Sequence, residues 1–231
     1  MQQISICIPT WNRVEMTLNS FKKVYDDARI DTIVILDDAS DIDVYNRLKE
    51  ECDKLSKVKL YRNVTNQDCY ANKFVAVSYS PTDYCILLDS DNQIDETYID
   101  KIYSQTWDKK TILAPDFAKP LFDYTEFSGL TISKENVAKY MDRPFFATCL
   151  NCMNYFVSAM DYVKVWDANT DPHSSDSIYQ NMNWFKWGNK MHIVPGMQYE
   201  HLVHDESHYK LNCSIDPEFY QKVEEELKNM K

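Results

Sequence analysis

The chain has 231 residues, 44% of them hydrophobic and 13% aromatic, so it can bury a sizeable core and is not a disordered segment. A net charge of −11, with no clustered Lys or Arg, argues against nucleic acid as a partner, because neutralising phosphates needs such clusters. Only Gly129, Gly188 and Gly196 occur, which excludes a Gly-rich phosphate loop and leaves any bound phosphate to a metal or to side chains.

The seven cysteines are scattered and odd in number. Cys7 and Cys85 lie in apolar runs, where a reduced thiol behaves as a small hydrophobe. Cys149 and Cys152 have the gap of a zinc or redox pair but no second pair at zinc-finger spacing, so packing is the preferred reading. These features suit a reducing, cytoplasmic setting. There is no charged leader followed by an apolar stretch, and no run of about 18 apolar residues, so neither secretion nor a transmembrane segment is expected.

In chain order, residues 4–8 alternate as a strand that gives way to a loop at Pro9-Thr10. Met16, Leu18, Phe21, Val24 and Tyr25 recur at helical spacing. A second strand, 32–36, ends in Asp37-Asp38, and a helix follows through Val44, Leu48, Cys52 and Leu55. Residues 58–61 read as a third strand, 71–79 as a helix and 84–88 as a fourth strand. The second half is less regular. A helix is expected at 134–141, an aromatic-rich segment at 154–165, a helix from Asp176 to Gly188 and a short strand at 192–194. A terminal helix starts at Asp216-Pro217, with an apolar face of Phe219, Tyr220, Val223, Leu227 and Met230.

Strands alternating with helices predict an α/β, Rossmann-like fold, with a mostly parallel central sheet flanked by helices. With no repeat or linker, residues 1–231 read as a single domain. Ligands of such sheets bind outside the carboxyl ends of the strands, where the loops 9–13, 37–40 and 89–92 all fall.

The stretch "ILLDSDN" (86–92) runs three apolar residues into two carboxylates, Asp89 and Asp91. Both acids can turn toward one point, as in a Mg²⁺ or Mn²⁺ site completed by phosphate oxygens; a solvated turn is the plainer alternative. Four motifs stand in order: "IPTWNR", "VILDDAS", "NQDCYANK" and "ILLDSDN". Together they resemble the nucleotide-sugar-binding half of glycosyltransferase family 2, the GT-A fold, over residues 4–105 and more loosely over 145–210.

The resemblance implies a nucleotide-diphosphate sugar donor bound by residues 1–105 and a hydroxyl acceptor (glycan, protein or small molecule) bound by 106–231. It places Thr10 and Asp38 against the base and ribose, although Asp38 reads equally well as a helix N-cap. Asn72 and Lys73 fall where relatives contact the nucleotide or diphosphate; otherwise Lys73 is a solvated helix lysine. Pro9, Asn12, Arg13 and Ser90 complete the implied donor-binding set. Asp68 stands where many relatives have Gly. The resemblance makes Asp91 the direct ligand of Mn²⁺ or Mg²⁺ and Asp89 a supporting ligand or ribose contact. His201 would be a further ligand, with His204 and His208 as alternatives and surface histidines as the plainer reading. It makes Asp176 the base that takes the acceptor proton, where its plainer role is to complement the helix dipole. Relatives often carry two adjacent acids there; this chain has Ser175-Asp176.

Six aromatic residues, Tyr155, Phe156, Tyr162, Trp166, Trp184 and Trp187, crowd the acceptor side and read mostly as core. The competing functions are a nucleotidyltransferase, for which the Gly-rich basic signature is missing, and a non-catalytic GT-A-like binding module.

Overall fold

The computed structural model describes residues 2–151, 154–172, 175–202 and 217–230. Among these, the strands are β1 (Ile4–Thr10), β2 (Ile30–Asp37), β3 (Val58–Arg62), β4 (Tyr84–Leu87), β5 (Asn92–Gln93), β6 (Thr111–Lys119), β7 (Phe122–Asp123), β8 (Thr131–Ser133), β9 (Tyr155–Ser158) and β10 (Lys190–His201). The helices are α1 (Glu15–Phe21), α2 (Ile42–Cys52), α3 (Asp68–Ser78), α4 (Glu96–Tyr103), α5 (Phe146–Leu150), α6 (Ala159–Lys164), α7 (Asp176–Lys186) and α8 (Pro217–Lys228). The strands join in one sheet of order β3-β2-β1-β4-β9-β6-β10-β5, with β7 on β6 and β8 on β10.

The apolar runs explain the centre of this order. Every residue of β1 is buried, as a parallel strand covered on both faces must be. β1 pairs in parallel with β2 and with β4, and β2 with β3. β9 then enters antiparallel to β4 and β6, while β10 runs parallel to β6. The sheet is therefore mostly parallel, as expected, with β9 as an antiparallel insert. Cys7 and Cys85 lie in the core, and burial pushes the Cys7 thiol up.

Several boundaries differ from expectation. β1 continues through Pro9 and Thr10 instead of ending before them. Pro9 is tolerated because β4 pairs with β1 only as far as Cys7, so the missing N–H falls where the ladder has already opened. The expected helix at 134–141 is a single 3₁₀ turn, Val137–Lys139. Asn136 competes with helix formation: its side chain accepts from Ser133 N and donates to the Thr131 carbonyl, both at 2.9 Å. The short strand at 192–194 is part of the twelve-residue β10, which carries a register shift between Val194 and Gln198 around Pro195-Gly196.

Several elements escaped the sequence reading: the short β5, β7, β8 and α5, and the longer α4 and β6. α4 is announced by its N-cap, since Tyr98 N donates to Asp95 at 3.2 Å. β6 was hidden by Pro115-Asp116 in its middle; Pro115 still pairs with Val194 of β10, but β9 pairs with β6 only at Leu113, so the proline lies beyond the β9 ladder. α8 forms as expected and buries Val223 and Leu227, while Asp216 and Cys152 lie outside the described residues.

Candidate active site

The loops after β1, β2 and β4 meet at one edge of the sheet, and side chains lace them together. Asn12 N donates to Ser40 Oγ at 2.7 Å, and Asn12 Oδ1 accepts from Asp41 N at 2.9 Å. Arg13 pairs with Asp91 at 2.8 Å. Asn12 and Ala39 both hold a left-handed backbone (φ 54° and 56°), which turns each loop back over its strand end. Thr10 is buried and shares a 2.7 Å hydrogen bond with Thr17 of α1; Pro9 is buried beside it.

Asp38 is not a helix cap. Its Oδ1 accepts from Asn63 Nδ2 at 2.7 Å and from Gln67 N at 2.8 Å, which fixes the carboxylate at the mouth of the β2 loop. Burial raises its pKa above the ordinary carboxylate range, against the opposing pull of these two donors. Asn63 Nδ2 also donates to Asn72 Oδ1 at 3.0 Å, so Asn72 belongs to the same network. Asp68 adopts φ 64°, the conformation for which Gly is favoured, and Asp is among the few other residues that tolerate it. The loop shape that a glycine would provide is thus kept.

Lys73 departs most from its plainer reading. It is buried, and its ammonium lies 3.2 Å from Asp89 Oδ1 and 2.8 Å from Asp176 Oδ2. Burial works to lower the Lys73 pKa, but Asp176 and Asp89 more than offset it and hold it well above its usual value. Burial likewise works to raise Asp89, and the Lys73 cation and the Asn154 amide hold it below the ordinary range. Asn154 grips Asp89 twice: Asp89 N donates to Asn154 Oδ1 at 2.8 Å, and Asn154 Nδ2 donates to Asp89 Oδ2 at 3.2 Å. Asp176, the first residue of α7, is also buried and accepts from Ser177 N at 2.8 Å. Ser90 is buried between the two acids of the turn.

β10 delivers His201 opposite Asn92 of β5, and the His201 Nδ1 lies 2.9 Å from Asn92 Oδ1. His204 and His208 lie outside the described residues. Asp89, Asp91 and His201 are donors of the right kind for a divalent cation. Among the described residues, however, no three such side chains are already grouped as a metal shell; Asp89 is paired with Lys73 and Asp91 with Arg13. Arg13 takes Asp91 Oδ2, so a cation at Asp91 would share the carboxylate with Arg13 or displace it.

Asn63, Asn92 and Asn154 were not singled out from the sequence. Asn63 stands one turn from the "NQDCYANK" motif, a usable signal, whereas Asn154 lies 65 positions from Asp89 and had none. The aromatic residues follow their core reading: Tyr155, Phe156, Tyr162 and Trp184 are fully buried, and Trp166 stacks on Phe74 at 4.1 Å. Trp187 is exposed, but it lies at the far end of α7 from Asp176, about 16 Å along the helix axis.

The family model of glycosyl transferase family 2 matches residues 5–123, just over half of the chain. Similar solved structures include S. aureus TarS residues 1–349, at TM-score 0.67 and 15% identity, covering 99% of this chain and 71% of that one. The same fragment in complex with UDP gives TM-score 0.64 and 14% identity, with the same coverage. A longer S. aureus TarS structure gives TM-score 0.62 at 13% identity, and this chain spans 40% of it. No curated protein matches the chain. At these identities the structures speak for the fold, which is GT-A, and the family match carries the rest: this chain belongs to glycosyl transferase family 2 and is a glycosyltransferase.

Proposed function

We propose that this enzyme is a metal-dependent, inverting glycosyltransferase that moves a sugar from a nucleoside-diphosphate donor to a hydroxyl of a glycan, protein or small molecule. The observation that carries the reading is the approach of Asp176 to Asp89 across the single Lys73 ammonium. The acid at the start of α7 thereby stands next to the corner where a donor diphosphate would end. The UDP complex of TarS supports a nucleoside diphosphate as the donor's leaving portion.

In this reading Asp38, Thr10 and Asn72 line the nucleotide, with Pro9, Asn12 and Ser90 shaping the pocket wall. Asp176 accepts the acceptor proton while the hydroxyl oxygen bonds to the anomeric carbon. The bond from that carbon to the diphosphate breaks with its electron pair going to the leaving group, and attack from the opposite face inverts the centre. Mn²⁺ or Mg²⁺ would be held by Asp91 and His201 with support from Asp89, and would supply Lewis-acid stabilisation of the departing diphosphate. Arg13, once released from Asp91, can pair with a diphosphate oxygen. Residues 1–105 act as the donor half and 106–231 as the acceptor half of one domain.

The test is sugar transfer by Asp176→Asn and Asp91→Asn proteins that retain the circular dichroism of the parent. Asp176→Asn is expected to lower kcat about 1,000-fold, within the span typical of general bases. Asp91→Asn is expected to abolish any stimulation by Mn²⁺. Full activity in Asp176→Asn would remove the base assignment.

A further inference from the structure

A lysine in the second turn of a helix ordinarily sends its ammonium to water. The Lys73 side chain is instead 8% exposed and shared between Asp89 and Asp176. Two of its three N–H donors are taken by these carboxylates, which leaves at most one for a phosphate oxygen. Both carboxylates are also fixed from their other sides. Asp176 Oδ1 accepts from Ser177 N at 2.8 Å and from Ser177 Oγ at 3.2 Å. Asp89 is held by Asn154, just before β9. A continuous chain of polar contacts thus runs Asn154–Asp89–Lys73–Asp176–Ser177, joining the start of β9, the turn after β4, α3 and α7.

We propose that Lys73 is a positioning residue of the transfer reaction and not a donor ligand. It aims the Asp176 carboxylate and ties it to the donor corner through Asp89, so that base and anomeric carbon keep a fixed separation. This rests on Asp176 being the base. An ammonium with three donors can hold both carboxylates at once, which a neutral side chain of similar length cannot.

The experiment compares Lys73→Met, Lys73→Arg and Asp176→Asn in steady-state nucleotide release from UDP-, GDP-, TDP- and CMP-sugars, with the affinity for UDP measured by calorimetry. Lys73→Met is expected to lower kcat about 100-fold, the loss that follows from misplacing a reacting group by about 1 Å. The donor KM should change by less than about threefold, since no ground-state contact is removed. Lys73→Arg should recover part of kcat, because the cation is kept. A Lys73→Met enzyme with unchanged kcat, or one whose KM rises while kcat holds, overturns the proposal. If Lys73→Met does not fold, Lys73→Arg decides: UDP affinity within about threefold of the parent supports the proposal, and a weakening of tenfold or more assigns Lys73 to the donor. Full activity in Asp176→Asn would instead overturn the base reading beneath it, so the two failures are distinguishable.

Discussion

At the scale of single residues, the buried and half-buried carboxylates of this chain do different work according to what donates to them. Asp167 accepts from Tyr179 Oη at 2.6 Å, Asn169 N at 2.9 Å and Thr170 Oγ1 at 2.8 Å. These donors, Tyr179 first among them, depress its pKa from 3.8 to about 2. A carboxyl depressed in the folded state contributes stability that is full above the unfolded pKa and is lost as pH falls through the folded one. The Asp167 contribution is therefore present above about pH 4 and disappears between pH 4 and 2. Thermal melts of Asp167→Asn should show a lower midpoint at pH 7 and a shallower acid-side fall than the parent. An unchanged acid limb would remove the assignment. The same logic explains why Lys73 could not be read as buried from the sequence: nothing local distinguishes it from a solvated lysine, and its partners arrive from α7 and the β4 turn.

At the scale of elements, β10 shows how a strand reaches across the site. Its register slips at Pro195-Gly196, where Gly196 has φ 72° and its N–H donates to Asp116 Oδ2 at 2.7 Å. A Cβ there would come within 3.1 Å of the Lys101 side-chain tip, which can swing away, so the cost of substitution lies in the backbone. Gly196→Ala is expected to destabilise the protein by about 1–2 kcal/mol, the cost of a left-handed residue, as measured by urea unfolding. The same slip cut the sequence reading of β10 short at 194, since Pro-Gly reads as a turn. β6 was hidden by Pro115 for the same reason. β1, β2 and β4 were legible because each is a plain apolar run between polar loops. The failed helix at 134–141 had adequate spacing and lost to the Asn136 side chain, a competition that periodicity does not register.

At the scale of the molecule, three strand-end loops and the start of α7 enclose one polar corner in a chain of net charge −11. Lys73 and Arg13 supply positive charge inside it. A nucleotide that binds this corner only in the native state should raise stability by about 2.7 kcal/mol at a hundredfold excess over its dissociation constant. A thermal-shift panel of UDP-, GDP-, TDP- and CMP-sugars, with and without Mn²⁺, should give a shift with one nucleotide class and a larger one with metal. No shift with any of them would count against the donor site. Among the described residues, no helix is long and apolar enough to cross a membrane.

The order of the first four strands and the helices between them, and the gathering of acids at the strand ends, were written in the residues themselves. A strand covered on both faces must be apolar, and it must turn polar where it surfaces, so the pattern is local. Which acid meets which cation was decided only by the tertiary structure. Asn154 reaches Asp89 across 65 positions because β9 lies antiparallel against β4, and Asp176 reaches Lys73 because α7 packs beside α3. Pairings of this kind depend on sheet order and helix packing, and sequence separation carries no record of either.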